Sequence, residues 1–133
     1  QIMENIRKNY ICKKQIKKGK SGTREFLQLF KNGYSIALMI DQRVSEGEPV
    51  NLFNRKCLTT TIPAQIVKKY DCDVVPVYIE RIDGIKFKLY FENPITFKKD
   101  MSIENISTKL NNILEKMILR NPDQWIWSHN RWK

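Results

Sequence analysis

Residues 35–47 have the sequence SIALMIDQRVSEG, an apolar run that ends at a carboxylate. Residues 35–40 are apolar on both faces, which is typical of a central strand in a parallel sheet. Ligands of open α/β sheets bind beyond the carboxyl ends of such strands, so Asp41 is a candidate site residue. An aspartate that only caps a turn is an equally good interpretation of the spacing. A polar loop is predicted from residue 42 to about residue 60.

Three helices are predicted outward from this segment. Thr23 is a candidate N-cap for a helix over about 24–32, with Gly33 at its C-terminal end. Thr61 is a candidate N-cap for a second helix that reaches about residue 70, with Pro63 near its first turn. Ser102 is a candidate N-cap for a third helix, which Asn121-Pro122 ends near residue 120. Its apolar residues recur three and four apart and predict one buried stripe: Ile103, Ile106, Leu110, Ile113 and Met117.

Two further strands are predicted at residues 74–79 and 87–91. Pro76 favours an edge or bulge position for the first of them, because proline cannot donate to a ladder. Asp83-Gly84 predicts the hairpin turn between the two. Together these elements predict an α/β fold with a mixed, mostly parallel sheet flanked by helices, as a single domain over residues 1–133.

The net charge of +10 comes from 24 basic and 14 acidic residues. Such an excess attracts polyanions: nucleic acid, anionic lipid, phosphorylated ligands or an acidic protein. Solubility alone is the simpler interpretation. The odd number of cysteines, three, favours reduced thiols, and a single histidine argues against a zinc site. No apolar run approaches the ~20 residues that span a bilayer.

Three local patterns are candidates for binding. Arg24 follows Ser-Gly-Thr near a predicted helix start, which suits a phosphate, although a solvated arginine is the simpler interpretation. His129 has no carboxylate within five residues, which favours a structural or anion-contacting role over proton transfer. The C-terminal tryptophans and Arg131 could stack on bases, lie at a membrane interface, or pack the tail onto the core.

Four segments in this order resemble one family, the bacterial lipid A biosynthesis (lauroyl/myristoyl) acyltransferases. They are KGKSGTRE (18–25), SIALMIDQRVSEG (35–47), VVPV (74–77) and NPDQWIWSHNRWK (121–133), and the resemblance covers residues 18–133. It implies a fold similar to that of the glycerolipid acyltransferases and a His-x4-Asp/Glu motif that supplies the base. It also implies an acyl-acyl carrier protein donor, a phosphorylated glucosamine lipid acceptor and the anionic cytoplasmic face of the bacterial inner membrane, with no cofactor, metal or nucleic acid.

The resemblance also implies a set of substrate-binding residues. Arg24 resembles the family's phosphate-binding arginine, and Asp41 with Gln42 resembles its acidic motif, in which Asp41 supports catalysis. Arg55 lies in the loop that follows that motif. The C-terminal signature contains His129, Arg131 and Trp132, and its role is not implied. The set is Arg24, Asp41, Gln42, Arg55, His129 and Arg131.

The sequence departs from the family at two points. The His-x4-Asp/Glu motif does not occur in these 133 residues, and we expect it upstream of Gln1. The chain is then the C-terminal part of an acyltransferase and inactive alone. The family's Phe-Phe-Gly loop is Leu52-Phe53-Asn54 here, where asparagine tolerates left-handed geometry better than most residues. A nucleic-acid-binding module and a non-functional remnant of a split gene are the alternatives.

Overall fold

The computed structural model describes residues 2–11, 13, 16 and 20–133. Its contacts divide the chain into two compact units, Gln1–Leu38 and Met39–Lys133. The first unit contains α1 (Ile2–Tyr10) and α2 (Lys20–Lys31). No described helix has both the length and the apolarity needed to cross a membrane. The single-domain interpretation of residues 1–133 stays a prediction.

Helix α2 ends as predicted but begins earlier. Gly33 follows its C-terminus with φ of +84°, the left-handed conformation that glycine adopts without cost. Its N-terminus is Lys20, so Thr23 lies inside the helix and is not its N-cap. The prediction was wrong because a preference for the N-cap position does not prevent a helix from including these residues, and serine, glycine and threonine each cost at most about 1 kcal/mol in a helix interior. Arg24 consequently lies in the second turn.

A β-hairpin replaces the polar loop that was predicted from residue 42 to residue 60. Strand β1 (Glu48–Leu52) pairs antiparallel with β2 (Arg55–Thr59). Alternate residues are buried on one face: Val50, Leu52, Cys57 and Thr59. Strands of five residues carry only two buried positions each, too few for the period of two to stand out in the sequence.

The prediction of a mostly parallel sheet was wrong. Both sheets of the described residues are two-stranded and antiparallel: β1 with β2, and β3 (Val77–Asp83) with β4 (Lys86–Phe91). Residues 35–40 form no strand ladder, and Met39 is 76% exposed. A short apolar run predicts burial but does not specify which backbone it pairs with.

The second hairpin lies close to its predicted position. Its two turn residues are Gly84 and Ile85, one residue later than predicted, and Gly84 has φ of +47°. Strand β3 begins after Pro76, and Val74 forms only an isolated bridge with Ile95. The expected edge or bulge position of Pro76 agrees with this interruption, since the ladder proper starts beyond it.

Helices α3 (Ile62–Tyr70) and α4 (Ile103–Arg120) match their predicted bounds, but the Thr61 side chain makes no capping hydrogen bond to α3. The Ser102 hydroxyl accepts a hydrogen bond from the Asn105 N–H at 3.1 Å and caps α4. The predicted stripe of α4 faces the core, where Ile106 is fully buried. Two core clusters result, one of Ala64, Val67, Phe97, Ile106 and Leu110, and one of Leu52, Cys57, Leu114 and Ile118.

The chain ends in two single turns of 3-10 helix, Pro122–Gln124 and Trp127–His129. Asn121 ends α4 as predicted. Residues 121–133 are called the tail below. The two described cysteines, Cys57 and Cys72, are both free thiols. Burial raises the pKa of the Cys72 thiol.

Candidate functional site

The turn of the first hairpin contains two consecutive left-handed residues. Phe53 has φ of +52° and Asn54 has φ of +58°, as a two-residue type I′ turn requires. Asn54 therefore adopts the left-handed conformation that asparagine was expected to tolerate. Phenylalanine has no such tolerance, and a non-glycine residue in this region costs about 1–2 kcal/mol. The Phe53 conformation must be stabilised by its contacts.

Those contacts come from α4 and from the tail. The Phe53 N–H donates to Glu115 Oε1 of α4 at 2.5 Å. The Phe53 ring centroid lies 6.1–6.4 Å from the rings of Trp125, Trp127 and Trp132. Aromatic pairs at such distances each contribute about 0.5–1.5 kcal/mol beyond burial. The tryptophan cluster can therefore offset the strain of the turn.

The tryptophans also contact one another. Trp125 meets Trp127 edge-on at 4.6 Å and Trp132 at 5.9 Å. The Trp132 indole N–H donates to the Leu52 carbonyl at 3.1 Å, and Trp125 and Trp132 pack against the second core cluster. Of the three interpretations of the C-terminal tryptophans, these contacts support packing of the tail onto the core.

Arg131 joins the tail to the hairpin from the inside. It is 2% exposed, and its guanidinium donates to the Leu58 carbonyl and, at 3.2 Å, to Thr59 Oγ1. The Asn111 amide of α4 donates to the same Thr59 oxygen and to the Asn51 carbonyl. Thr59 is thus the point where hairpin, helix and tail meet. The resemblance implied a substrate ligand at Arg131, but its guanidinium faces the protein interior.

His129 joins the tail to the segment after Ile40. Its Nε2 accepts a hydrogen bond from the Arg43 backbone N–H at 3.0 Å. Residues 41–43 are called the acidic segment below. Asp41 is half-buried and Gln42 is exposed. The Gln42 amide donates to Met39 Sδ at 3.6 Å, and Asp41 forms no ion pair among the residues that the structure describes.

Arg55 is exposed beside the turn of the hairpin. Its guanidinium carbon lies 5.9 Å from the Trp132 ring centroid, within cation–π range. Arg24 belongs to the first unit, where its side chain is exposed in the second turn of α2. It therefore lies beyond the free N–H groups of the helix start, which the predicted phosphate site included. The cationic side chain itself remains available for an anion.

The tail thus contacts two other segments of the second unit, the acidic segment and the hairpin turn. It reaches the acidic segment through His129 and the hairpin through Trp132 and Arg131. A family model described as bacterial lipid A biosynthesis acyltransferase matches residues 3–133. The chain belongs to this family. The recognition made from four short segments is therefore confirmed, over slightly more of the chain than those segments covered.

Membership gives the chain an acyltransferase role in lipid A biosynthesis. A search of curated proteins returns no match. Within the described residues, no three histidine, cysteine or acidic side chains are grouped as metal ligands would be.

Sequence reasoning missed three residues that hold the site together: Thr59, Asn111 and Glu115. Glu115 resembles a solvated helix charge, and nothing local in the sequence indicates that a backbone N–H lies opposite it. Asn111 carried a signal, since a polar residue follows Leu110 on the buried side of α4. A buried asparagine needs hydrogen-bond partners, so its presence there predicts a polar contact across the core.

Proposed function

We propose that this chain binds the substrates of an acyl transfer from acyl-acyl carrier protein to a phosphorylated glucosamine lipid. The observation that carries the proposal is the family match together with the Arg43–His129 hydrogen bond, which joins two of the family's segments. These segments are 86 residues apart in sequence. Such a contact is expected of a site assembled by the fold.

The proposed roles follow the accessibility of each side chain. Asp41 and Gln42 bind polar groups of the acceptor, since both lie outside the buried core and Asp41 forms no ion pair among the described residues. Arg55 is exposed and binds a phosphate, to which a guanidinium can donate two hydrogen bonds. Arg24, which lies in the first unit, also binds a phosphate. Arg131 holds the hairpin and does not contact substrate.

The chemistry then requires a base from outside these residues. The acceptor hydroxyl attacks the thioester carbonyl, the carrier thiol leaves, and the hydroxyl proton must be removed. His129 is the single histidine, and its Nε2 lone pair already accepts the Arg43 N–H. We therefore propose that the His-x4-Asp/Glu pair acts from another segment and that this chain alone is inactive.

The remaining proposed partner is the anionic cytoplasmic face of the bacterial inner membrane. The +10 charge supports it, because each basic residue near an anionic surface contributes about 1 kcal/mol. The acidic carrier protein would be attracted by the same charge. Nucleic-acid binding is not favoured, because the tryptophan rings pack on one another and on Phe53 instead of standing free to stack on bases.

Two substitutions test the assigned roles in the active acyltransferase that contains these residues. Asp41→Asn and Arg24→Ala should each reduce kcat/KM at least about tenfold, since a charge-assisted hydrogen bond contributes about 1.5–3 kcal/mol and tenfold corresponds to about 1.4. The measurement is acyl transfer to a phosphorylated glucosamine lipid. Circular dichroism should show both variants folded.

Asp100→Asn and Lys109→Ala are matched controls, because both side chains are exposed and lie outside the proposed site. They should keep wild-type activity. Normal kcat/KM in Asp41→Asn and Arg24→Ala would contradict the assigned roles.

A further inference from the structure

The acidic segment is held at both of its ends. Ile40, just before it, packs against both hydrophobic clusters of the second unit. Arg43, at its end, donates its backbone N–H to His129 Nε2 at 3.0 Å. Asp41 and Gln42 lie between these two anchors. A backbone held on both sides has few conformations to lose when its side chains bind a ligand, which lowers the entropic cost of binding.

The hydrogen bond also determines where the proton of His129 resides. A neutral imidazole has one N–H donor and one acceptor nitrogen. Because Nε2 accepts, the proton is on Nδ1. A charged imidazolium would have no acceptor nitrogen and could not form this bond. His129 therefore forms this contact with the lone pair of Nε2. Because the donor is the backbone N–H of Arg43, a change of the Arg43 side chain would leave the hydrogen bond in place.

The tail in turn holds His129 in position. Trp127, two residues before it, donates its indole N–H to the Pro122 carbonyl at 2.8 Å. Arg131, two residues after it, is anchored on the hairpin. Asn130 has φ of +47°, so the chain reverses between His129 and Arg131. The two side chains thus contact different elements: Arg131 contacts the hairpin and His129 contacts the acidic segment.

We propose that His129 is a positioning residue, which fixes Asp41 and Gln42 for the acceptor by accepting the Arg43 N–H. The proposal assigns a role to the C-terminal family signature. It rests on the proposed function in one respect, namely that Asp41 and Gln42 contact the acceptor. The hydrogen bond and its tautomer are independent of that function and can be tested without any substrate.

The first experiment is NMR on the 133-residue chain. The ¹⁵N chemical shifts of the His129 ring should report a protonated Nδ1 and an unprotonated Nε2. In His129→Ala, exchange of the Arg43 amide should accelerate by about three- to tenfold, the effect of losing one hydrogen bond. In His129→Gln it should stay near the wild-type rate, because the glutamine Oε1 can accept in place of Nε2.

Two controls separate this local effect from loss of stability. The Phe53 amide, which donates to Glu115, should exchange at the same rate in all variants. Ser128→Ala, an exposed neighbour in the tail, should leave the Arg43 amide unchanged. A ring protonated on Nε2, or an unchanged Arg43 rate in His129→Ala, would overturn the proposal.

The second experiment measures kinetics in the active acyltransferase. His129→Ala should raise KM for the phosphorylated glucosamine lipid by about three- to tenfold and leave KM for acyl-acyl carrier protein unchanged. His129→Gln should restore the acceptor KM. If the NMR result holds but the acceptor KM does not move, the positioning role is refuted and the proposed function stands. A wild-type enzyme that does not use this acceptor would refute the proposed function instead. A thousandfold loss of kcat in both variants would make His129 the base.

Discussion

The purified 133-residue chain is expected to transfer no acyl group from acyl-acyl carrier protein to a phosphorylated glucosamine lipid. A positioned general base contributes about 10²–10⁴ in rate. His129 is the single histidine of the chain, and its Nε2 is committed to the Arg43 N–H. The resemblance to the family assigns the base to a His-x4-Asp/Glu motif that these residues do not contain.

The measurement is the formation of acylated acceptor by mass spectrometry, with a family enzyme that contains the motif as the positive control. His129→Ala should give the same background as the wild-type chain. Transfer above the uncatalysed rate that disappears in Asp41→Asn would contradict this expectation, because it would place a complete active site within residues 1–133.

Arg131→Ala should cost the fold about 3–5 kcal/mol in its free energy of unfolding. The guanidinium is 2% exposed and donates to the Leu58 carbonyl and to Thr59 Oγ1. Hydrogen bonds from a charged donor contribute about 1.5–3 kcal/mol each. Their loss leaves the Leu58 carbonyl without this donor, while Thr59 Oγ1 keeps the hydrogen bond from Asn111. Since 1 kcal/mol shifts the melting temperature of a domain of this size by roughly 3–6 °C, the expected decrease exceeds about 10 °C.

Arg55→Ala is the matched control, since Arg55 is exposed and its guanidinium lies near the Trp132 ring of the tail. A cation–π contact at an exposed site contributes about 0.5–1 kcal/mol, so the melting temperature should fall by only a few degrees. The two variants are compared by thermal unfolding of the chain. Equal small decreases would show that the buried Arg131 contacts do not stabilise the fold.

The helices of the second unit could be predicted from local signals. Ser102, the apolar stripe and Asn121-Pro122 mark α4 at both ends, and each signal acts within a few residues. Helix α3 is similarly marked by Thr61 and Pro63. The Asp83-Gly84 turn predicted the second hairpin to within one residue. In each case the backbone hydrogen bonds are made inside the element or across one turn, so the sequence alone carries the information.

The strand predictions failed where the pairing partner is distant in sequence. Residues 35–40 have the composition of a central strand, but no strand of the described chain pairs with them. The hairpin of β1 and β2 has Phe53-Asn54 at its turn, without the glycine that would announce it. Its stability comes from Glu115, Arg131 and the tryptophans, which are 62–80 residues away in sequence.

For the candidate site, too, the sequence identified residues but not their surroundings in the fold. The resemblance supplied Arg24, Asp41, Gln42, Arg55, His129 and Arg131, and all of them except Arg24 lie in the second unit. It could not tell that Arg131 points inward and Arg55 outward, because a motif specifies residue type and position but not burial. The hydrogen-bond partner of His129 is a backbone N–H, a group that every residue except proline carries and no sequence pattern marks.

We propose that the acidic segment and the hairpin turn, which both contact the tail, bind the phosphorylated glucosamine acceptor. The most direct measurement is an NMR titration of the 133-residue chain with a soluble phosphorylated glucosamine disaccharide. The amide shift changes are expected to be concentrated at residues 41–43 and 53–55 and to be lost in Asp41→Asn. Changes confined to the β3–β4 hairpin, or no change at millimolar ligand, would contradict it.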